Sequence, residues 1–222
     1  ISHNIVDVEL LKKGLHNDPK ELRNHLQSTI DITDTNRYQA ILLSYGLCGQ
    51  STLGLKARNI PVIIPKAHDC ITLFLGSRLK YEEEFKKCPG TYWYAQDYIE
   101  RDDGSGTSWS LGSASDEFQK QYNDYIQKYG QDNADYLMSV MGAWQQHYQR
   151  SVYIEMSIGN GVGVREIASE QAMKRGWQFE AMQGDPILIR KLVDGEWDND
   201  FIIVRPGQEI VRKFDQDIIG VS

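Results

Sequence analysis

Two of the three cysteines and one of the five histidines fall within one stretch, Tyr38 to Cys70. Its first apolar run, Ala40 to Leu43, leads into Tyr45-Gly46-Leu47-Cys48-Gly49. Its second, Val62 to Ile64, leads through Lys66 into His68-Asp69-Cys70. Two thiols and an imidazole are soft and borderline donors that suit zinc or an iron-sulfur cluster. A centre held by Cys48, His68 and Cys70 keeps one coordination position open, which catalytic metals use. The spacing matches no zinc signature, because neither cysteine belongs to a C-x-x-C pair. The same residues therefore also suit buried, inert cysteines and a histidine that caps its helix. Cys88, beside Pro89-Gly90, reads as structural.

A second chemistry fits the same residues. Gly46-Leu47-Cys48-Gly49-Gln50 resembles a cysteine version of the strand-turn-helix elbow that exposes a nucleophile over backbone N–H donors. Cys48 would be the nucleophile and His68 its base. The elbow calls for glycine where Gln50 stands, and no third group orients the histidine, Asp69 being expected to point elsewhere. A third reading is a non-catalytic module that binds a small anion. Its N–H donors would come from the turns at Gly159-Asn160-Gly161-Val162-Gly163 and Gly184-Asp185. Tyr45, Gly46, Gly49 and Lys66 border the same strand ends, and Tyr45 and Lys66 are candidates to orient a bound anion.

All three readings need elements that bring the two turns together. Short apolar runs bounded by turn signals, with a helical segment between them, read as parallel buried strands in a β-α-β unit. Ligands of open α/β sheets bind beyond the carboxyl ends of the strands, so Cys48, His68 and Cys70 would meet there. Asp18-Pro19-Lys20-Glu21 predicts a helix start: Asp18 as N-cap, Pro19 at N1 and Glu21 closing a capping box. Leu22, Leu26 and Ile30 follow as its apolar stripe. Gly49 to Arg58 reads as a helix, and Ile71, Phe74 and Leu75 start another that the charged run Lys80 to Lys87 continues. Ile5 to Leu11 alternates like a strand with nothing before it to pair with, so a strand and a helix are expected upstream.

The second half keeps the habit. Gly90 to Ile99, Val152 to Ile158, Trp177 to Met182 and Phe201 to Val204 read as strands. Asp116 to Trp144 reads as one long or two shorter helices, Val164 to Arg175 as a helix stopped by Gly176, and a short helix follows Pro186. Arg101 to Ser115 is polar and Gly/Ser-rich, a loop or linker. The expected fold is α/β with Rossmann-like parallel sheets, in two lobes with a cleft at the strand carboxyl ends. Residues 1–100 would form the lobe carrying the Cys/His site, 101–115 the linker, and 116–222 the second lobe.

The totals narrow the partners. A chain of 222 residues, 41% hydrophobic, can bury a real core. A formal charge of −7 without a basic stripe argues against nucleic acid and anionic membranes. No apolar run nears the roughly 20 residues a bilayer needs, and no signal peptide opens the chain, so a cytoplasmic protein is expected. Three cysteines are too few for a disulfide framework and favour thiol or metal chemistry in a reducing compartment.

Leu15-His16-Asn17-Asp18-Pro19, Ser44-Tyr45-Gly46-Leu47-Cys48-Gly49 and the run Ile64-Pro65-Lys66-Ala67-His68-Asp69-Cys70-Ile71-Thr72-Leu73-Phe74-Leu75-Gly76-Ser77 resemble an uncharacterised prokaryotic family, the domain of unknown function sixteen-thirty-eight. Pro89-Gly90-Thr91-Tyr92-Trp93-Tyr94, Gly184-Asp185, Gly195-Glu196-Trp197 and Pro206-Gly207 extend the likeness over nearly the whole chain. Members are mostly anaerobes and methanogens, often encoded near corrinoid-dependent methyltransferases. The resemblance therefore implies a role in one-carbon metabolism, with a small molecule or a corrinoid protein as partner. Members usually begin with a strand carrying another cysteine. A third thiolate from such a segment would favour an iron-sulfur cluster with one open iron. Lys66 stands where the family commonly has arginine, which keeps the charge and loses a bidentate clamp.

Overall fold

The computed structural model describes residues 2–12, 15, 18–47, 50–96, 126–127, 130–131, 148–158, 163–213 and 219–222. The chain divides into two compact units, Ile1–Glu82 with Gly184–Ser222, and Glu83–Gln183. The expected linker at 101–115 and nearly all of the expected helix at 116–144 lie outside the described residues.

In the first unit, α1 (Pro19–Ile32) starts where expected: Asp18 accepts from the N–H groups of Lys20 (3.1 Å) and Glu21 (2.9 Å). The capping box does not close, because the Asp18 N–H goes to the Leu15 carbonyl. β1 (Ile41–Leu42) and β2 (Val62–Pro65) are parallel, with Ile41 opposite Val62. All four residues of β2 are buried, as a strand covered on both faces must be. Val62 and Ile64 join Leu22, Leu26 and Ile30 of α1 in one core, while Ile63 joins Leu73, Leu188 and Leu192 in another. The period of two in the strand thus divides it between layers on its two faces. β6 (Phe201–Val204), expected with 116–222, instead adds to the other edge of β2, antiparallel.

Three expectations in this unit are corrected. Gln50 to Ala57 forms no α-helix: the chain turns over 50–54 and then pairs with β7 (Ile210–Arg212) of the β7–β8 (Ile219–Val221) hairpin. Gly54 N–H donates to the Ile210 carbonyl, Ile210 N–H to the Leu55 carbonyl and Ala57 N–H to the Gln208 carbonyl. Gly54 enters this pairing at φ +80°, a conformation that costs glycine little. The helix expected from Ile71 onward is two helices, α2 (Cys70–Leu75) and α3 (Arg78–Lys87), parted at Gly76 with φ +70°. A side chain at Gly76 would meet the Asp185 carbonyl oxygen at 2.6 Å. Residues 5–10 form no strand, and Ile5, Val8 and Leu10 are exposed. Alternation makes a strand only where a neighbour supplies the ladder.

In the second unit the strands lie near their expected ranges, but Thr91–Ala95, expected in the lobe of residues 1–100, belongs here. β3 (Thr91–Ala95), β4 (Arg150–Glu155) and β5 (Gln178–Gln183) form a wholly parallel sheet with β4 in the centre. α4 (Val164–Arg175) links β4 to β5, buries Val164, Ala168, Gln171 and Ala172, and ends at Gly176 in the left-handed conformation. Tyr94 O–H donates to Gln171 Oε1 at 2.8 Å inside this core. The buried Arg150 places Nη2 2.9 Å from Glu84 Oε2 and Nη1 3.2 Å from Glu180 Oε2, and donates from Nε to Thr91 Oγ1 at 2.9 Å. The whole is an α/β fold with a Rossmann-like parallel sheet. After Gly184-Asp185-Pro186, α5 (Ile187–Asp194) covers β2 in the first unit.

Candidate functional site

The chain segments that leave β1 and β2 run on side by side beyond the carboxyl ends of the strands. Leu43 N–H donates to the Ile63 carbonyl at 2.8 Å, and Leu47 N–H repeats the bond four residues later to the Ala67 carbonyl, also at 2.8 Å. Between them Gly46 lets the two backbones touch: a Cβ there would fall 2.7 Å from Asp69 Cα and 2.8 Å from its N and C. No side chain fits, so glycine at 46 is a condition of the approach. The turn after Leu47 is tied down from both sides. Ser51 N–H donates to the Leu47 carbonyl (3.1 Å), Thr52 Oγ1 to the Gly46 carbonyl (3.4 Å), and the Arg23 guanidinium to the Gln50 carbonyl. Gln50 itself stands at φ +70°, in the left-handed region, and the α-helix that the elbow pattern requires does not follow it.

Asp69 organises the second segment. With extended backbone it caps α2: Oδ1 accepts the N–H groups of Ile71 (3.0 Å) and Thr72 (3.3 Å). Oδ2 meets His68 Nδ1 at 3.2 Å and accepts the Tyr81 hydroxyl at 3.1 Å. The imidazole lies over the Tyr81 ring, centroids 6.0 Å apart and planes 18° from parallel. Because a carboxylate only accepts, the bond calls for the proton on Nδ1 and leaves Nε2 as the acceptor. The hydrogen bond to Asp69 raises the His68 pKa above its ordinary value. Partial burial opposes that rise, the Asp69 charge adds to it, and the Arg212 charge opposes it.

This corrects the expectation that Asp69 points away from its neighbour. The sequence signal was available: an Asp that opens a helix is held by the helix N–H groups, and one carboxylate oxygen is left over for the residue before it. Tyr81, which no sequence pattern singled out, arrives through the Gly76 corner.

Of the other expected site residues, Cys70 is half-buried at the first position of α2. Tyr45 is half-buried against the core of the first unit, and Lys66 is half-buried with its backbone N–H on the Asp200 carbonyl at 2.7 Å. Cys48 and Gly49 lie outside the described residues. Among the described residues no group of three or more His, Cys, Asp or Glu side chains is placed to hold a metal ion. The half-buried Cys88 closes α3, its N–H on the Glu84 carbonyl and its own carbonyl accepting from Thr91 Oγ1. Of the glycine turns, residues 159–162 lie outside the described set. At the second turn, Asp185 N–H is spent on the Phe74 carbonyl and Ile187 N–H on Asp185 Oδ1, which leaves neither for an anion. Among the described residues no helix is long and apolar enough to cross a membrane.

No curated protein and no solved structure matches the chain. A family model does: that of the protein of unknown function family (DUF1638) matches residues 10–193. The match covers far more than half of the chain, and the protein belongs to that family.

Proposed function

We propose that the chain holds a zinc ion or an iron-sulfur cluster where the segments leaving β1 and β2 meet, with Cys48, Cys70 and His68 as ligands. The observation that carries this reading is the backbone contact of Gly46 with Asp69, reinforced by the Leu47–Ala67 hydrogen bond. It sets the positions just before Cys48 against those just before Cys70. The donor set fits such a group: thiolates and a neutral imidazole suit zinc and iron, and a histidine ligand ordinarily gives its second N–H to a carboxylate, as His68 Nδ1 does to Asp69. The fourth position would stay open for water or substrate. A place in methyl transfer or corrinoid metabolism of an anaerobe, with a small molecule or corrinoid protein as partner, rests on the family resemblance alone.

Protein purified under anaerobic conditions should carry zinc or iron, the latter with thiolate-to-iron absorption in the visible range. Cys70→Ser and Cys48→Ser should each remove it. Unchanged metal content in both variants would sink the assignment.

One observation favours a second reading. Asp69 on His68 supplies the orienting group that a Cys48–His68 nucleophile pair needs. Here metal-free protein would be alkylated at Cys48 in preference to Cys70 and Cys88. Cys70→Ser would leave that labelling intact, and His68→Ala would slow it.

A further inference from the structure

We infer that Tyr81 is a positioning residue of this site, one that fixes which nitrogen of His68 faces the guest. The inference rests on the assignment of His68 to the site but on neither choice between metal ligand and base. Asp69 has two oxygens and two tasks. Oδ1 is consumed by the N–H groups of Ile71 and Thr72. Oδ2 alone remains for His68, and the Tyr81 hydroxyl holds that oxygen from a second direction at 3.1 Å. The Tyr81 ring then backs the imidazole at an 18° tilt. One contact fixes the carboxylate and the other fixes the ring plane, so the Nδ1 anchor and the acceptor role of Nε2 are set together.

The chain goes out of its way to make this contact. A continuous helix would carry a residue twelve positions beyond the cap about 18 Å from it. Gly76 at φ +70°, pressed on the Asp185 carbonyl, ends α2. Ser77 starts α3, its Oγ accepting the Lys80 N–H at 3.2 Å and its carbonyl the Tyr81 N–H at 3.2 Å. This corner returns Tyr81 to the first residues of the helix before it.

The test reads the neutral tautomer of His68 by nitrogen NMR in full-length, metal-free protein labelled with 15N-histidine, at about pH 9, where imidazoles are uncharged. In the wild type the Nδ1–H form should dominate. Tyr81→Leu removes both ring and hydroxyl, and the ratio of Nδ1–H to Nε2–H forms should fall about 2- to 12-fold, the equilibrium equivalent of one net hydrogen bond. Tyr81→Phe keeps the ring and should lie between the two, which a merely structural role would not produce. Cobalt(II) titration of the same three proteins supplies the independent arm. If the wild type binds cobalt with thiolate charge-transfer absorption, Tyr81→Leu should bind it 10- to 100-fold more weakly, in the range usual for loss of a group behind a ligand. A Tyr81→Leu protein with the wild-type tautomer ratio, or a wild type dominated by Nε2–H, overturns the inference. Absence of cobalt binding by the wild type overturns the metal reading and leaves the tautomer result to decide the role of Tyr81.

Discussion

Replacing Gly46 by alanine adds one methyl group at the point where the two segments touch. That methyl would sit 2.7 Å from Asp69 Cα and 2.8 Å from its N and C, all backbone atoms that cannot rotate aside. An ordinary carbon contact is about 3.5 to 4.0 Å, so one segment must retreat by about 0.8 Å. The Leu47–Ala67 hydrogen bond, now 2.8 Å, would open to about 3.6 Å and cease to be one. A buried N–H and C=O left unpaired costs about 1–3 kcal/mol, and forcing a methyl into a packed contact about 1–3 kcal/mol. Gly46→Ala should therefore lose about 2–6 kcal/mol in urea unfolding followed by circular dichroism, together with metal content or Cys48 reactivity. Gly54→Ala is the control: nothing lies within 4 Å of its Cβ, but its φ of +80° makes alanine cost about 1 kcal/mol. Were Gly46→Ala within about 0.5 kcal/mol of wild type, or milder than Gly54→Ala, the segments would not converge as described and the site built on them would fall.

Arg150→Met should destabilise the second unit by about 1–3 kcal/mol in the same urea assay, because it leaves the buried Glu84 with only the exposed Lys87 as ion-pair partner. Burial disfavours the Glu84 charge, but hydrogen bonds from Lys87 and Arg150 overcome it and hold the carboxyl below its ordinary value of 4.5. The ionised form is thus the one the fold prefers. Its contribution is complete above about pH 4.5 and is lost as pH falls through the lower folded value, so stability measured across that acid range should flatten in Glu84→Gln. Tyr94→Phe should cost about 1–3 kcal/mol by thermal or urea unfolding, since Gln171 Oε1 would lose its donor inside the core; no change would mean that water reaches it.

What could be read from the sequence was whatever each segment settles with its own residues. Leu22, Leu26 and Ile30 are buried because a period of 3.6 puts them on one face, and Asp18 caps α1 because its carboxylate reaches N–H groups two and three residues on. The parallel pairing of β1 with β2 followed from two fully apolar runs, and the limits of α4 from the glycine beyond Arg175. The convergence of the segments after β1 and β2 was legible for the same reason: parallel neighbours must end on the same side of a sheet.

The rest depended on partners far along the chain. Gln50 to Ala57 has the composition of a helix, yet its backbone groups are taken by residues 208 to 210, so hydrogen-bond supply from the β7–β8 hairpin overrode local preference. Phe201 to Val204 was legible as a strand, but its place beside β2 and its antiparallel direction came from the core that Ile202 and Val204 share with α1. Alternation in residues 5–10 produced no strand because no edge among the described residues receives it. At the site, sequence supplied His68, Cys70 and, through the helix cap, Asp69 as the partner of His68, while tertiary structure brought in Tyr81. A side chain's type is written locally, whereas the group it bonds is fixed only when turns such as Gly76 fold one stretch back on another.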